Sequence, residues 1–217
     1  PRVMSLVIFT CVVGLLIAPT SVEFIPAALS LISVALGAGA AGTLNMWYES
    51  DIDALMKRTC LRPIPTGKVS KNNALIFGLF TAIFSISMLY IFSNFLSALM
   101  LFITILFYVV IYTMILKQRT SQNIVIGGAA GAFPPIIGWT IATNTITLEP
   151  LFLFLIIFIW TPSHFWALSL YKIEDYENAK IPMLPLVSGI KITKINIFVY
   201  AIILLIVSII PYFLNYF

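Results

Sequence analysis

The sequence predicts an all-α polytopic membrane protein, and three observations support that class. Hydrophobic residues make up 61% of the 217 residues and charged residues 9%, and the mean hydropathy of +1.07 lies far outside the usual range of soluble domains. Long apolar runs recur at the length of about 17 to 25 residues that a helix needs to cross a bilayer. Charged residues are concentrated between these runs. The expected architecture is a bundle of membrane helices.

Seven apolar runs are predicted as membrane helices, at residues 3–18, 24–47, 74–92, 95–116, 123–142, 151–170 and 195–213. The fifth run contains Pro134 and Pro135 and is expected to kink, because a proline removes a helical hydrogen bond. Most connections are short, but those at residues 48–73 and 171–194 are long and charged. These two loops are the candidates for function.

The positive charges indicate how the chain is oriented in the membrane. All twelve Lys and Arg residues lie at the N-terminus or in the connections after the second, fourth and sixth runs, and the opposite connections contain Glu23 and Glu149. Because basic loops stay on the cytoplasmic side, the N-terminus and both long loops are predicted to face the cytoplasm, or the matrix of a mitochondrion. The net charge of +4 then reflects membrane topology, and no nucleic-acid module is predicted.

The first long loop begins with a polar motif at a helix end. Asn45, Glu49 and Asp53 are spaced i, i+4 and i+8 and therefore share one face of a helix. Carboxylate and amide oxygens in this arrangement suit a divalent cation. The bases that follow suit a phosphate: Lys57, Arg58, Arg62 and Lys68. The motif predicts a metal-bridged diphosphate site, whereas Asp51, on the other side of the helix, is expected to pair with a neighbouring base.

A second polar stretch follows the sixth run. If the helix continues, one stripe directs the only histidine and a carboxylate inward together. The residues of that stripe are His164, Leu168, Tyr171 and Asp175. A lone histidine is also common as a hydrogen-bonded core residue, so both interpretations of His164 stay open. Because this stretch follows the sixth run as the first motif follows the second, the pattern indicates a duplicated four-helix unit.

Several short motifs occur in order along essentially the whole chain. They are Pro1-Arg2-Val3-Met4, N-x-W-Y-E-x-D-I-D-A-x-M-x-R-T at residues 45–59, Arg62-Pro63, Tyr112-Thr113, Lys117-Gln118-Arg119-Thr120, NIVIGGAAGA at residues 123–132, TPSHFWAL at residues 161–168 and Asp175-Tyr176. Through these motifs the chain resembles the protohaem IX farnesyltransferases, a branch of the UbiA superfamily of intramembrane prenyltransferases. Each motif alone is weak, but together and in order they are highly specific.

The resemblance implies a fold and a reaction. The family fold is a bundle of nine membrane helices around a cavity, so residues 1–217 are expected to form a single transmembrane prenyltransferase domain that lacks the last two helices and a few N-terminal residues. The implied reaction joins the farnesyl group of farnesyl diphosphate to a vinyl group of haem b, giving haem O. Mg²⁺ is the implied cofactor. The implied location is the cell inner membrane, or the mitochondrial inner membrane, with the site on the cytoplasmic side, and the implied partners include haem A synthase or the terminal oxidase assembly.

The resemblance also implies roles for individual residues. The implied metal ligands are Asn45, Glu49, Asp53 and Asp175, which act in catalysis together with Arg58 and Arg62. The predicted substrate-binding residues are Lys68, Lys117, Arg119, His164, Tyr171 and Tyr176. The second loop departs from the superfamily pattern D-x-x-x-D, since it reads Glu174-Asp175-Tyr176-Glu177-Asn178. Many relatives also have Pro in place of Ser163 and Gly in place of Lys180.

Two other functions remain open from the residues alone. A related enzyme that prenylates a quinone precursor or another aromatic acceptor would share the first motif, although the segments at residues 161–166 and 175–176 favour haem. A transporter would also contain kinked helices and intramembrane polar groups. The acidic clusters, however, all lie on one predicted face of the membrane, with no polar trail to the other side.

Overall fold

The computed structural model describes residues 2–214 and 216, with side chains from Met4 onwards. Pro1, in the motif noted at the start of the chain, lies outside the described residues, as do Asn215 and Phe217 of the predicted domain. The described elements are α1 (Arg2–Leu16), α2 (Phe24–Tyr48), α3 (Ser50–Leu55), α4 (Lys71–Phe92), α5 (Phe95–Leu106), a π-helix (Phe107–Leu116), α6 (Asn123–Ala132), α7 (Pro134–Thr143), α8 (Leu148–Leu170), α9 (Ile173–Asn178) and α10 (Leu184–Phe213). The predicted all-α class is confirmed.

Six helical segments among the described residues are long and apolar enough to cross a membrane, and Met4–Leu16 is a shorter apolar helix. Six of the seven predicted runs therefore appear as full spans. The first helix ends at Leu16, two residues before the predicted boundary. The cause is Pro19, because the residue before a proline is driven out of the helical region and the chain must leave the helix ahead of it.

Close packing of α1 on α7 depends on two glycines. A Cβ atom at Gly138 would lie 1.9 Å from the carbonyl oxygen of Cys11, and one at Gly14 would lie 2.1 Å from the carbonyl oxygen of Pro135. Small residues allow membrane helices to approach backbone to backbone in this way. The other principal helix pairs are α2 with α4, α8 with α10, and α6 with α8.

The fourth and fifth predicted helices are irregular. The fifth is divided at Phe133 into α6 and α7, so the predicted proline kink is confirmed. The fourth changes from α5 into the π-helix, whose end is marked by the hydrogen bond from the Lys117 N–H to the Tyr112 carbonyl at 3.0 Å. This change was not predicted, because hydropathy has no period that separates a π-turn from an α-turn. Such turns are rare and are frequent at functional sites.

Each long loop contains a short helix that is separate from the preceding membrane helix, and the sequence analysis did not predict this division. The six-residue helices α3 and α9 each follow a membrane helix, and each buries one aspartate, Asp53 and Asp175 respectively. This correspondence agrees with the predicted duplication. The predicted start of the last helix at residue 195 is wrong, because α10 begins at Leu184. Lys191 and Lys194 are exposed on this helix, so their charge does not end it.

Gly189 interrupts α10 and divides it into two helical segments, because its backbone has φ = 81° and ψ = 165°, a region that residues with a Cβ rarely occupy. Gly189→Ala is expected to lower the free energy of unfolding by about 1–3 kcal/mol, the usual cost of such backbone strain. Among the described residues, no atom outside the adjoining backbone lies within 4 Å of a Cβ built at Gly189 or at Gly42, and Gly42 lies in the regular helix α2. Gly42→Ala is therefore the matched control and should be neutral or stabilising. Thermal unfolding in detergent measures both changes.

Lys180 ends α9 in the left-handed conformation, with φ = 54°. Its N–H donates to the Glu177 carbonyl at 3.0 Å and the Ile181 N–H donates to the Tyr176 carbonyl at 3.0 Å, which together form a Schellman motif. Glycine is the preferred residue at this position, so Lys180→Gly is expected to raise the free energy of unfolding by about 1 kcal/mol. The same change at the exposed helical residue Lys194 should lower it by about 1 kcal/mol. Equal thermal shifts in the two variants would contradict the strain at Lys180.

Candidate active site

The first motif is built across the junction of α2 and α3. Glu49 separates the two helices, yet the Glu49 N–H donates to the Asn45 carbonyl at 2.9 Å and the Asp53 N–H donates to the Glu49 carbonyl at 2.8 Å. These i to i−4 bonds preserve the helical spacing, so the three side chains share one face as predicted. All three are buried, with exposed fractions of 7%, 1% and 3% for Asn45, Glu49 and Asp53. Polar groups placed in this way need partners.

One of the two carboxylate oxygens of Glu49 forms an ion pair. The Lys117 ammonium donates to Oε2 at 2.5 Å. The other oxygen, Oε1, is buried and has no hydrogen-bond partner within the described part of the chain. A carboxylate with one paired and one free oxygen retains the capacity to bind a further donor or a metal ion.

Asp53 is paired with Arg62, whose Nη1 donates to Oδ2 at 2.7 Å. The chain between them folds back because the Thr59 hydroxyl donates to the Asp53 carbonyl at 3.0 Å and the Arg62 N–H donates to the Thr59 carbonyl at 2.9 Å. The predicted association of the acidic motif with the following bases is thus observed for Arg62. The predicted partner for Asp51 is also observed, since Lys71 donates to this exposed carboxylate at 2.9 Å.

Asn45, the third residue of the motif, makes its contact through the side-chain amide. Its Nδ2 donates to the Thr113 hydroxyl at 3.1 Å, and that hydroxyl donates to the Tyr108 carbonyl at 2.9 Å. Thr113 and Lys117 are both supplied by the end of the π-helix, where they lie beside Asn45 and Glu49. The buried Asn123 holds this end in place, because its Nδ2 donates to the carbonyl oxygens of Lys117 at 3.3 Å and Thr120 at 2.6 Å.

The predicted stripe of the second motif is wrong. Helix α8 ends at Leu170, and the N–H groups of Tyr171 and Lys172 close its last turn on the carbonyl oxygens of Leu168 and Ser169. Tyr171 is 85% exposed, whereas Asp175 is buried on the separate helix α9. The stripe required a continuous helix, but α8 ends at Leu170 and α9 begins at Ile173, so the helical spacing does not extend from His164 to Asp175.

A cleft of about 520 Å³ lies between the segment after α3 and the junction of α8 with α9. Its lining residues are Lys57, Arg58, Leu170, Tyr171, Lys172, Ile173, Glu174 and Asp175. The cleft brings Arg58 of the first loop to Asp175 of the second. Burial raises the pKa of the neighbouring Tyr176 phenol, an effect that the Arg58 charge opposes and the Asp175 charge reinforces, so Tyr176 stays protonated at neutral pH and can donate a hydrogen bond.

Three other predicted site residues make no side-chain hydrogen bond or ion pair with Glu49, Asp53, Arg62 or Lys117 in the described part of the chain. Lys68 and Arg119 are exposed. His164 is half-buried and stacks on Trp160, with ring centroids 4.3 Å apart and planes 17° apart, and it meets Phe165 edge-on. Across residues 2–214 and 216, no three His, Cys, Asp or Glu side chains form a metal-binding group, so Asp175 does not join Glu49 and Asp53 in one ligand set here.

Thr113 and the partner of Lys117 were missed by the sequence analysis. The Tyr112-Thr113 pair contributed to the resemblance but received no role, and Lys117 was predicted only as a substrate-binding residue. A threonine in an apolar run is a weak signal, because its hydroxyl usually bonds to a carbonyl of its own helix. The contact to Asn45 depends on how two distant helices meet.

The model of the UbiA prenyltransferase family matches residues 7–217. The chain belongs to the UbiA prenyltransferase family. It is similar to the protoheme IX farnesyltransferase of Pelagibacter ubique (strain HTCC1062), with 65% identity over 216 residues, covering 100% of this chain and 71% of the relative. The corresponding enzyme of Afipia carboxidovorans is 56% identical over 217 residues, covering 100% and 69%.

Solved structures of UbiA proteins share the fold of this chain. A digeranylgeranylglyceryl phosphate synthase superposes with a TM-score of 0.79 at 19% identity, covering 97% of this chain and 74% of that chain. A UbiA homolog from Archaeoglobus fulgidus bound to DMAPP and Mg²⁺ superposes with a TM-score of 0.76 at 16% identity, covering 95% and 74%. Identities this low establish the fold alone. The expected nine-helix UbiA bundle is consistent with the described spans, and family membership makes the chain a multi-pass membrane prenyltransferase rather than a transporter.

Proposed function

We propose that this UbiA protein transfers the farnesyl group of farnesyl diphosphate to a vinyl group of haem b. The bond between the farnesyl C1 and the diphosphate oxygen breaks, a carbon–carbon bond forms to the vinyl group, and water supplies the hydroxyl of the resulting hydroxyethylfarnesyl side chain of haem O. Relatives 54–65% identical are named for this substrate pair. The observation that carries the proposal is the row of Glu49 and Asp53, each paired with a cation from another segment.

The two ion pairs fit the binding of a diphosphate. Lys117 and Arg62 are cations held at the motif by carboxylates, and both are suited to phosphate oxygens. Departure of an allylic diphosphate is accelerated when charge developing on its oxygens is neutralised by groups already in place. These side chains would then neutralise the leaving group, while Arg58 approaches it from the cleft.

The residues at this site also fit Mg²⁺. Mg²⁺ is usually held by one or two carboxylates together with substrate phosphates and water, so three acids in one place are not required. Glu49 offers the unpartnered oxygen Oε1, and Asn45 and Asp53 offer further oxygens on the same face. When bound, the ion would neutralise diphosphate charge. Asp175, across the cleft on α9, is proposed as the acidic ligand of the second motif.

The acceptor side of the site is proposed from the second loop and α8. Tyr176 is protonated at neutral pH and can donate a hydrogen bond, and Tyr171 and His164 present exposed or half-exposed rings that suit contact with a flat macrocycle. Lys68 and Arg119 are exposed bases on the predicted cytoplasmic side and would attract anionic substrates. The proposal places the site on the cytoplasmic side of the cell inner membrane, or the matrix side of a mitochondrial inner membrane, and includes association with haem A synthase or the terminal oxidase assembly.

The deciding experiment incubates membranes that contain the full protein with haem b, farnesyl diphosphate and Mg²⁺ and identifies the product by mass. The expected product is farnesylated haem, formed only when all three components are present. Parallel reactions replace haem b by an aromatic acid, or Mg²⁺ by a chelator. Prenylation of the aromatic acid with no change in haem would contradict haem b as the acceptor. Full activity in the presence of the chelator would contradict the requirement for Mg²⁺.

A further inference from the structure

Asn45 differs from the other proposed ligands because its side chain has two chemically different ends. The amide Oδ1 can ligate a cation, whereas Nδ2 carries two protons and cannot. Which end faces the site depends on what holds the other end. Among the described residues, Nδ2 donates to Thr113 Oγ1 at 3.1 Å, and no hydrogen bond uses Oδ1.

The Thr113 hydroxyl selects the nitrogen end of the amide. Its single proton is donated to the Tyr108 carbonyl oxygen at 2.9 Å, and a carbonyl oxygen can only accept. The hydroxyl therefore has only lone pairs to offer Asn45, and a lone pair requires an N–H. Thr113 is 0% exposed, so bulk water cannot take over either bond.

The π-helix makes possible the two consecutive hydrogen bonds, from Asn45 to Thr113 and from Thr113 to the Tyr108 carbonyl. Tyr108 lies five residues before Thr113, which is the separation across one π-turn, and the same helix places Lys117 on Glu49. One helix end thus provides an acceptor for the amide of Asn45 and a cation for the carboxylate of Glu49. Thr113 accepts a hydrogen bond from the Asn45 amide, whereas Lys117 donates one to the Glu49 carboxylate. The two contacts therefore suit an amide N–H donor and a carboxylate acceptor respectively.

We propose that Thr113 is a positioning residue that holds the Asn45 amide with Nδ2 away from the proposed cation and Oδ1 available to it. This inference rests on the proposed function, since it concerns a residue that orients a ligand of the Mg²⁺ site. Groups that orient metal ligands without touching the metal typically change metal affinity about 10- to 100-fold when removed.

The test measures metal binding without turnover. Mn²⁺, which accepts the same oxygen ligands, is titrated into purified full-length protein with farnesyl diphosphate and no acceptor, and bound ion is counted from the loss of the free Mn²⁺ resonance signal relative to a protein-free blank. Thr113→Val keeps the side-chain shape and removes the hydroxyl, so it should weaken Mn²⁺ binding about 10- to 100-fold. Thr113→Ser keeps the hydroxyl and should bind close to wild type.

A double variant separates orientation from general packing. Asp at position 45 has two equivalent oxygens and no amide to orient, so in the Asn45→Asp background the further change Thr113→Val should leave Mn²⁺ affinity nearly unchanged. An equal loss in both backgrounds, or wild-type affinity in Thr113→Val, would overturn the positioning role. If wild-type protein binds no Mn²⁺, the proposed metal site fails first and the inference fails with it. Thermal unfolding of each variant confirms that the compared proteins are folded.

Discussion

Asp53→Asn is expected to reduce farnesyl transfer about 10²- to 10³-fold, the usual loss when one group that stabilises transition-state charge is removed. The change keeps the size of the side chain and removes its charge. Arg62 then loses the carboxylate that it contacts at 2.7 Å, and the proposed Mg²⁺ loses an anionic ligand. Initial rates of product formation, measured by mass at saturating haem b and farnesyl diphosphate, provide the test.

Asp51→Asn is the matched control for this prediction. Asp51 lies two residues away, is exposed, and pairs with Lys71 at 2.9 Å rather than with a residue of the motif. It is expected to leave the rate unchanged. Equal losses in both variants would mean that general charge near the membrane surface matters, and an active Asp53→Asn variant would remove Asp53 from the site.

Lys117→Met is expected to lower the free energy of unfolding by about 3–5 kcal/mol, the usual cost of leaving one member of a buried ion pair without its partner. Glu49 is only 1% exposed, and its second oxygen is already unpartnered, so removal of the ammonium leaves a buried carboxylate with no hydrogen bond in the described structure. Thermal unfolding of the purified protein in detergent measures the loss. Transfer activity should fall as well, because Lys117 is proposed to meet the diphosphate.

Two comparison variants define the origin of this destabilisation. Lys71→Met breaks an exposed pair with Asp51 and should change stability by less than about 1 kcal/mol. The double variant Glu49→Gln with Lys117→Met removes both charges and should recover part of the stability, because the uncompensated buried charge is gone. A double variant that is less stable than Lys117→Met alone would contradict this account.

The helix bundle was largely predictable because a helix that crosses a bilayer needs a run of about 20 apolar residues, which is visible in the composition of the sequence. Six of the seven predicted runs became full spans, and the kink at Pro134 followed from covalent structure. The start of α10 was not predictable from hydropathy, since Lys191 and Lys194 lie on the exposed side of a helix that continues through them. The stripe through His164 and Asp175 failed because it extrapolated one helix beyond Leu170, and a turn of two residues changes the face on which every later side chain lies.

The geometry of the first motif could be predicted from neighbouring residues. The spacing of Asn45, Glu49 and Asp53 is a local property, and helical hydrogen bonds keep it across the junction at Glu49, so the row of polar groups and the nearby base Arg62 follow from neighbouring residues. Lys117 and Thr113 lie sixty-eight residues away from their partners, and only the packing of distant helices brings them against this row. Buried polar groups must be satisfied wherever the fold brings them, and which distant helix satisfies them depends on packing that no local pattern encodes.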